Sequence, residues 1–265
     1  MSRIAPAFAR AKAERRPALI AYVCGGDPSL EATARVVPRL SEAGADLIEV
    51  GIPFSDPIAD GPTIQAAAQR ALEGGTTPGS VIDLVSSLRQ QGLETPLLLM
   101  TYLNPILSLG LESFFRRAAQ AEVDGILVPD LPLGEEAPVK LAASRHQLDL
   151  VLFASPTTSP DRMAKIARET QGFLYFLSVT GVTGARGALP PELPAQLAAA
   201  RAASRAPVAV GFGISTPEQA RALAPHTDAI VVGSALVAEL HRAGGDPGGP
   251  AELVRRLATA LRGSA

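Results

Sequence analysis

Eight short apolar runs alternate with helix-like segments along the 265 residues of the sequence, and this order predicts an α/β fold closed as a (β/α)8 TIM barrel. The runs lack the polar alternation of half-exposed strands, as expected for parallel strands buried on both faces. Parallel strands need crossover connections, and the segments between the runs have helical spacing. An open doubly wound sheet is the alternative, but such sheets usually contain fewer strands.

The predicted strands come at irregular intervals. They are ALIAYV at 18–23, DLIEV at 46–50, PLLLM at 96–100, GILVP at 125–129, LDLVLF at 148–153, FLYFL at 173–177, APVAV at 206–210 and DAIVV at 228–232. The helices predicted between them are residues 29–45, 79–92, 111–122, 134–147, 159–171, 190–204 and 215–226. Extra helices are predicted at the N-terminus, after strand 2 around residues 63–75, and at the C-terminus around the glycine-rich segment 241–250. Residues 1–265 are expected to form one barrel domain.

The composition indicates which kinds of binding partner to expect. Lys and Arg number 24 against 26 Asp and Glu, a net charge of -2, so no bulk charge favours nucleic acid or a membrane surface. Cys24 is the only cysteine and cannot form an internal disulfide. Residues 1–17 lack the apolar core of a signal peptide, and no apolar run approaches the roughly 20 residues that cross a bilayer. We therefore expect a cytoplasmic protein with a small-molecule or protein partner.

Glu49 ends the second predicted strand, within the stretch EVGIPFSDPIADGP at 49–62. In a barrel of this class the working residues lie at the carboxyl ends of strands and in the loops that follow. A carboxyl group buried there loses hydration, which raises its pKa toward the range useful for proton transfer. The alternative is that Glu49 points outward between helices and pairs with a Lys or Arg.

Asp60 lies in the loop after Glu49, and the pair is a candidate for divided acid–base work. Two carboxyl groups in different surroundings hold different protonation states, so one transfers protons while the other stays ionised. The alternative for Asp60 is an Asx turn or the N-cap of the following helix, and the same alternative holds with better odds for Asp56.

Glycine-rich turns follow the late strands and are candidates for binding phosphate. Residues 211–215 (GFGIS) follow strand 7, and 233–236 (GSAL) follow strand 8 and lead into a helix. Glycine lets backbone N–H groups approach an anion, and the positive end of a helix dipole adds to the attraction. The alternative is that these glycines only make tight turns. The long glycine-rich segment 178–190 after strand 6 is predicted to be a mobile lid.

The histidines and the cysteine give weaker signals. His146, His226 and His241 show no metal-ligand spacing with one another or with Cys24, so we expect surface or capping roles and no metal site. Cys24 is expected to be a small buried thiol at the end of strand 1.

Seven blocks of sequence closely resemble the tryptophan synthase alpha subunit family, nearly from end to end. They are YVCGGDP, IEVGIPFSDPIADGPTIQ, MTYLNP, VPDLP, YFLSVTGVTGAR, VGFGIS and IVVGSA. The resemblance implies a carbon–carbon lyase that cleaves indole-3-glycerol phosphate to indole and glyceraldehyde 3-phosphate by a retro-aldol step, with no cofactor. A departure is Cys24-Gly25, where a Thr-Ala pair is commoner in the family.

The resemblance also implies roles for individual residues. Glu49 matches the general acid/base, Asp60 the carboxylate that contacts the indole N–H, and Tyr175 an assisting active-site tyrosine. The remaining matches are Gly184, Gly213, Gly233 and Ser234 for phosphate, Tyr22, Met100 and Phe212 for the indole slot, and Thr183 for the lid.

The family partner is a pyridoxal-phosphate beta subunit that consumes the indole, usually in an α2β2 assembly. We expect residues 53–58 and the loop 101–110 to contact the beta subunit, at Pro53, Asp56, Pro57, Asn104 and Pro105. Both segments contain prolines and apolar side chains, which are unfavourable when exposed to water.

Three other functions compete with this interpretation. The chain is alternatively a free-standing lyase that releases indole, a non-catalytic activator of the beta subunit, or another phosphate-sugar barrel enzyme such as an isomerase or epimerase.

Overall fold

A computed structural model describes residues 2–131, 134–178, 190–211 and 213–263. Within them eight parallel strands pair in chain order and close into a barrel, so the predicted fold is confirmed. The strands are β1 (Ala18–Cys24), β2 (Leu47–Gly51), β3 (Leu97–Met100), β4 (Gly125–Leu127), β5 (Asp149–Ala154), β6 (Leu174–Leu177), β7 (Val208–Gly211) and β8 (Ala229–Val232). Each one overlaps a strand predicted from the sequence.

Helices surround the barrel and also extend it. In the described residues they are α1 (Ile4–Ala13), α2 (Leu30–Ala43), α3 (Pro62–Glu73), α4 (Pro78–Gln90), α5 (Leu103–Leu109), α6 (Leu111–Gln120), α7 (Ala137–Arg145), α8 (Pro160–Glu169), α9 (Leu193–Ala203), α10 (Pro217–Leu223), α11 (Ser234–Arg242) and α12 (Gly248–Arg262), with a 3-10 turn at Ala224–His226. The predicted extra helices correspond to α1, α3, α11 and α12. The prediction of a loop at 101–110 was wrong, because α5 occupies most of it.

Side-chain alternation along the strands separates two apolar layers. Leu47 packs with the cluster inside the barrel, whereas Ile48 and Val50 pack outward against the helices. Helix α1 joins the inner cluster through its buried face, and the Phe8 ring lies 5.6 Å from that of Phe173. The barrel interior is therefore filled from its N-terminal end, which leaves the carboxyl ends of the strands as the place for a site.

An acceptor side chain is repeated at the N-terminal end of the barrel. Asp46, Asp124, Asp228 and Gln171, each just before an even-numbered strand, accept the backbone N–H of Leu19, Leu97, Val208 and Leu150 at 2.8, 2.9, 2.9 and 3.1 Å. Arginines also pair with the three aspartates. These contacts fix the start of each odd-numbered strand, at the opposite end of the barrel from the carboxyl ends of the strands. No helix in the described ranges is long and apolar enough to cross a membrane.

Candidate active site

Glu49 faces the barrel interior near the carboxyl end of β2. It lies two residues after Leu47, and residues at this spacing share one face of a strand. Its side chain is fully buried, and neither carboxyl oxygen has a hydrogen-bond partner in the described residues. The alternative of an outward-facing, ion-paired Glu49 is therefore wrong.

Burial raises the pKa of Glu49 to about 8, because the interior disfavours the charged form. The side chain consequently carries a proton at neutral pH. A buried polar group without partners destabilises the fold, and such groups concentrate where a ligand supplies the missing contact. Glu49 is thus a buried carboxyl group on a strand of the barrel, with a raised pKa and no hydrogen-bond partner in the described residues.

Asp60 is held by a tyrosine from the next unit of the barrel. The Tyr102 hydroxyl donates to Asp60 Oδ2 at 2.9 Å and accepts from the Ala59 N–H at 3.1 Å. Gly61 is the N-cap residue of α3, and no side chain caps that helix. The alternative of Asp60 as a helix cap is therefore wrong. Burial raises the pKa of Asp60 to about 6, and the hydrogen bond from Tyr102 opposes the rise.

Tyr102 was missed by the sequence analysis. It lies two residues after the end of β3 and directly precedes α5, whose first N–H, that of Leu103, donates to Asp130 Oδ1 at 2.9 Å. The Phe54 ring lies 5.4 Å from the Tyr102 ring, so the loop after β2 rests on this residue. The available signal was position, because Tyr102 and Asp130 both follow predicted strands at the end where barrels do chemistry.

Two further tyrosines enclose the space around Glu49. Tyr22 and Tyr175 are buried, and burial raises both pKa values well above the usual range, with the charge of Glu49 adding to the rise. A Cβ on Gly51 would lie 2.2 Å from the Tyr22 hydroxyl, and one on Gly211 would lie 2.8 Å from that of Tyr175. Glycine at these strand ends therefore makes room for the two phenols.

An apolar wall completes the space. Met100, at the end of β3, packs against both the inner cluster and the cluster that contains Tyr22 and Cys24. The Phe153 ring lies 4.8 Å from the Tyr175 ring on the other side. Cys24 is a buried free thiol, as expected, and burial raises its pKa to about 12. Two of the residues predicted for the indole slot, Tyr22 and Met100, therefore pack together, and Tyr22 lies beside Glu49 in the strand register.

Open backbone amides lie at the turns after β7 and β8. Gly213 has a positive φ of 49°, which favours glycine, and nothing lies within 4 Å of the position of a Cβ there. Gly233 is the N-cap of α11, Ser234 is its first residue, and no side chain caps the helix. In the described residues no side chain caps the positive end of α11, and such a helix end can bind an anion.

Comparison with known proteins decides the family. The sequence model described as tryptophan synthase alpha chain matches residues 8–261. The chain belongs to the tryptophan synthase alpha chain family. The chain of that name from Geobacter sulfurreducens is 48% identical over 259 residues, covering 98% of this chain and 96% of the relative. That from Citrifermentans bemidjiense is 51% identical over 237 residues, covering 89% and 88%.

Solved structures of tryptophan synthase alpha chains share the fold. The Legionella pneumophila alpha chain superposes with a TM-score of 0.90 at 38% identity, covering 98% of this chain and 97% of that one. A Mycobacterium tuberculosis tryptophan synthase structure gives a TM-score of 0.91 at 36% identity, covering 98% of both chains.

Three residues matched to the tryptophan synthase alpha chain site, Thr183, Gly184 and Phe212, lie outside the described residues. Of the others, Tyr22, Glu49 and Met100 lie in the second half of a strand or at its middle, and Asp60, Gly213 and Gly233 lie in loops that follow strands. Tyr175 is the second residue of β6, and Ser234 is the first residue of α11. The sequence therefore predicted which end of the barrel holds the candidate site, and the structure adds the contacts of the individual side chains.

The predicted partner contacts divide into buried and accessible positions. Pro53 and Pro105 are buried within the chain, whereas Asp56 and Asn104 are exposed and Pro57 is half-buried. Pro105 is buried because it faces inward from α5, which is a helix and not the loop that was predicted. Ile58 and Leu107 are 81% and 53% exposed on the same two segments. The sequence analysis did not single out either residue.

The histidines take the expected surface role where a partner is seen. His146 Nε2 lies 2.7 Å from Glu112 Oε1 on the exterior. No group of three or more metal-ligating side chains is found in the part of the chain that the structure describes.

Proposed function

We propose that Glu49 and Asp60 perform the carbon–carbon lyase reaction of the tryptophan synthase alpha chain family. By its family the chain is a lyase of tryptophan biosynthesis, and its reaction is the cleavage of indole-3-glycerol phosphate to indole and D-glyceraldehyde 3-phosphate. The observation that carries the assignment of roles is the fully buried Glu49 carboxyl group, both of whose oxygens lack a partner in the described residues.

Glu49 serves both proton transfers. Its protonated form donates to C3 of the indole ring, which converts the ring into a leaving group. The carboxylate that results accepts the proton of the side-chain hydroxyl next to the ring. The electrons of that O–H bond form the aldehyde carbonyl, and those of the breaking C–C bond restore the aromatic ring. Glu49 ends the cycle protonated, which fits its raised pKa of about 8.

Asp60 stabilises the charge that appears between these transfers. Protonation at C3 makes the ring nitrogen positive, and an ionised carboxylate near the N–H stabilises that state. With a pKa of about 6, Asp60 is mostly ionised at neutral pH while Glu49 is protonated. Two carboxyl groups with separated pKa values thus take opposite roles. Tyr175 closes the same space and assists.

The substrate phosphate binds at the turns after β7 and β8. Gly213, Gly233 and Ser234 offer backbone amides and a helix N-terminus there. Gly184 and the lid residue Thr183 would complete the enclosure, as the family match implies. Tyr22, Met100 and Phe212 form the indole slot.

No cofactor is required in this chain by the proposed chemistry, because both steps are proton transfers. The beta subunit partner implied by the family would hold the pyridoxal phosphate and consume the indole in an α2β2 assembly. We place its docking surface on the loop after β2 and on α5, around Asp56, Pro57, Ile58, Asn104 and Leu107. Exposed apolar side chains on both segments support this.

The family assignment does not favour a free-standing lyase or a non-catalytic activator. Assaying the chain with and without a beta subunit tests the free-standing lyase, because strong activity of the chain by itself would support that alternative. Leu107→Asp should weaken beta binding, whereas Leu141→Asp is a matched control, since both leucines are 53% exposed. Equal effects of the two changes would contradict the proposed surface.

Indole release from indole-3-glycerol phosphate by the chain with beta tests the proposed roles. We expect Glu49→Gln and Asp60→Asn each to lower kcat by ~100-fold or more, the scale of a lost acid–base or charge-stabilising group. Glu94→Gln is the control, because Glu94 is exposed and lies before β3 at the other end of the barrel. Full activity in Glu49→Gln would overturn the mechanism.

A further inference from the structure

The Tyr22 ring lies across the mouth of the barrel between two strands. At one end, a Cβ on Gly233 would lie 3.4 Å from Tyr22 Cδ1. At the other end, a Cβ on Gly51 would lie 2.2 Å from the hydroxyl oxygen. Gly51 is the next inward-facing position after Glu49 on β2. The side chain therefore runs from the turn after β8 to the immediate surroundings of the proton donor.

Tyr22 is only 5% exposed as a residue, and its hydroxyl has no hydrogen-bond partner in the described residues. Phenylalanine would fill almost the same space without a polar group that needs a partner. Burial raises the pKa of Tyr22 well above its usual range, so the group stays protonated and able to donate near neutral pH. A donor kept free in this way is available to a ligand.

The ionisable groups that face Tyr22 come from four segments of the chain. Cys24 lies on the same strand, Glu49 on β2, Asp60 in the following loop, and Tyr102 after β3. From α3 and α11 the residues packed against it are apolar, namely Ala67, Ala68, Ala71 and Val237. The free hydroxyl thus lies close to both carboxyl groups that the lyase reaction uses.

We propose that the Tyr22 hydroxyl is a specificity determinant that donates a hydrogen bond to a hydroxyl oxygen of the substrate's glycerol chain. The inference rests on the proposed function. With the phosphate at Gly233 and the reacting carbon at Glu49, the three-carbon chain between them must pass along the Tyr22 ring. This role differs from the purely apolar one implied by the family resemblance.

Two ligands separate hydroxyl recognition from ring packing. One is indole-3-glycerol phosphate, and the other is 3-(indol-3-yl)propyl phosphate, which keeps the ring and the phosphate but has no side-chain hydroxyl. With the alpha–beta complex, Tyr22→Phe should lower kcat/KM for the substrate about tenfold, the size of one lost hydrogen bond. The Kd of the propyl analogue should stay within about twofold, because that ligand offers no partner to the hydroxyl.

Each other outcome overturns the inference. Equal weakening of both ligands would show that Tyr22 only packs, and no change in either would show that its hydroxyl is not used. The fall of kcat/KM at high pH, which reports Glu49, should stay in place, and a shift would show that Tyr22 acts through Glu49. Absence of indole release by the wild type would remove the proposed function as well, whereas turnover unaffected by Tyr22→Phe removes only this inference.

Discussion

The Tyr102 hydroxyl donates a 2.9 Å hydrogen bond to Oδ2 of Asp60 and so joins the ends of two different barrel units. The same oxygen accepts the Ala59 N–H, which fixes the backbone of the loop as well as the carboxylate. The Phe54 ring, from the same loop, packs at a tilt against the Tyr102 ring. Since α5 begins directly after Tyr102, the exposed surface of α5 is connected to Asp60 through one side chain. A partner that docks on α5 would therefore act on the position of Asp60.

Tyr102→Phe keeps the ring and removes both hydrogen bonds. We expect kcat/KM for indole-3-glycerol phosphate to fall by roughly 10- to 100-fold, because a hydrogen bond to a charged group contributes about 1.5–3 kcal/mol. The pKa of Asp60 should rise, since the lost bond favoured its ionised form, and the low-pH limb of the rate profile should move to higher pH. Steady-state kinetics across pH measure both effects.

Asp83→Asn provides the control for this experiment, because Asp83 is an exposed carboxylate that pairs only with Arg117 in the described residues. Its kinetics should match those of the wild type. An unshifted low-pH limb in Tyr102→Phe would mean that Tyr102 does not set the protonation of Asp60.

The pH dependence of kcat/KM should be bell-shaped. The proposed mechanism needs Asp60 ionised and Glu49 protonated, so activity should rise through pH about 6 and fall through about 8. The two groups share one site, so the observed values belong to the pair. Rates with saturating beta subunit at constant ionic strength give the profile. A single flat plateau from pH 5 to pH 9 would contradict the assignment.

The strand order and the location of the site followed from local sequence. Apolar runs such as DLIEV indicate strands that are buried on both faces. Eight such strands, each followed by a helix, are typical of a closed barrel. Glu49 was found because an acid in such a run is out of place. The extent of the domain, residues 1–265, stays a prediction.

The hydrogen bonds of the candidate site could not be predicted in this way, because they join residues that are far apart in the sequence. Tyr102 and Asp60 are brought together only by barrel closure and by the path of the loop. The helix α5 was missed for a related reason, since its proline and the short LNPILSL segment read locally as a loop. Whether the Glu49 side chain points into the barrel or outward also could not be decided from the sequence, because it depends on which face of β2 is turned to the interior.

Gly51→Ala should damage the site more than the fold. The added methyl would lie 2.2 Å from the Tyr22 hydroxyl and 2.8 Å from its Cζ, so the ring must move into the substrate space. We expect at least a ~10-fold loss of kcat/KM with a loss of unfolding free energy of about 1–3 kcal/mol. Gly61→Ala is the matched control, because nothing lies within 4 Å of a Cβ there. Equal activity in the two variants would show that Tyr22 has free space.

Asp124→Asn should damage the fold more than the site, because Asp124 lies at the other end of the barrel. Asp124 is buried and accepts from Arg3, Arg89 and the Leu97 N–H, and Arg89 is itself buried. Breaking such a pair costs about 3–5 kcal/mol, measurable by urea unfolding. Asp83→Asn, an exposed pair, should change stability by less than about 1 kcal/mol. Altered pH limbs in folded Asp124→Asn would contradict its purely structural role.

Glu49→Gln should remove part of the pH dependence of stability. In the wild type the folded state keeps the Glu49 proton to pH about 8, whereas the unfolded state loses it near its ordinary value of 4.5. The stability that Glu49 contributes is therefore fully present below pH 4.5 and is lost as pH rises to about 8. Because one pKa unit corresponds to about 1.4 kcal/mol, the variant should gain a few kcal/mol over the wild type between pH 5 and pH 8. Urea unfolding at both pH values measures the difference, and Glu94→Gln should show none. A constant difference between Glu49→Gln and the wild type would mean that Glu49 is not protonated in the folded chain, and the proton-donor role would fail with it.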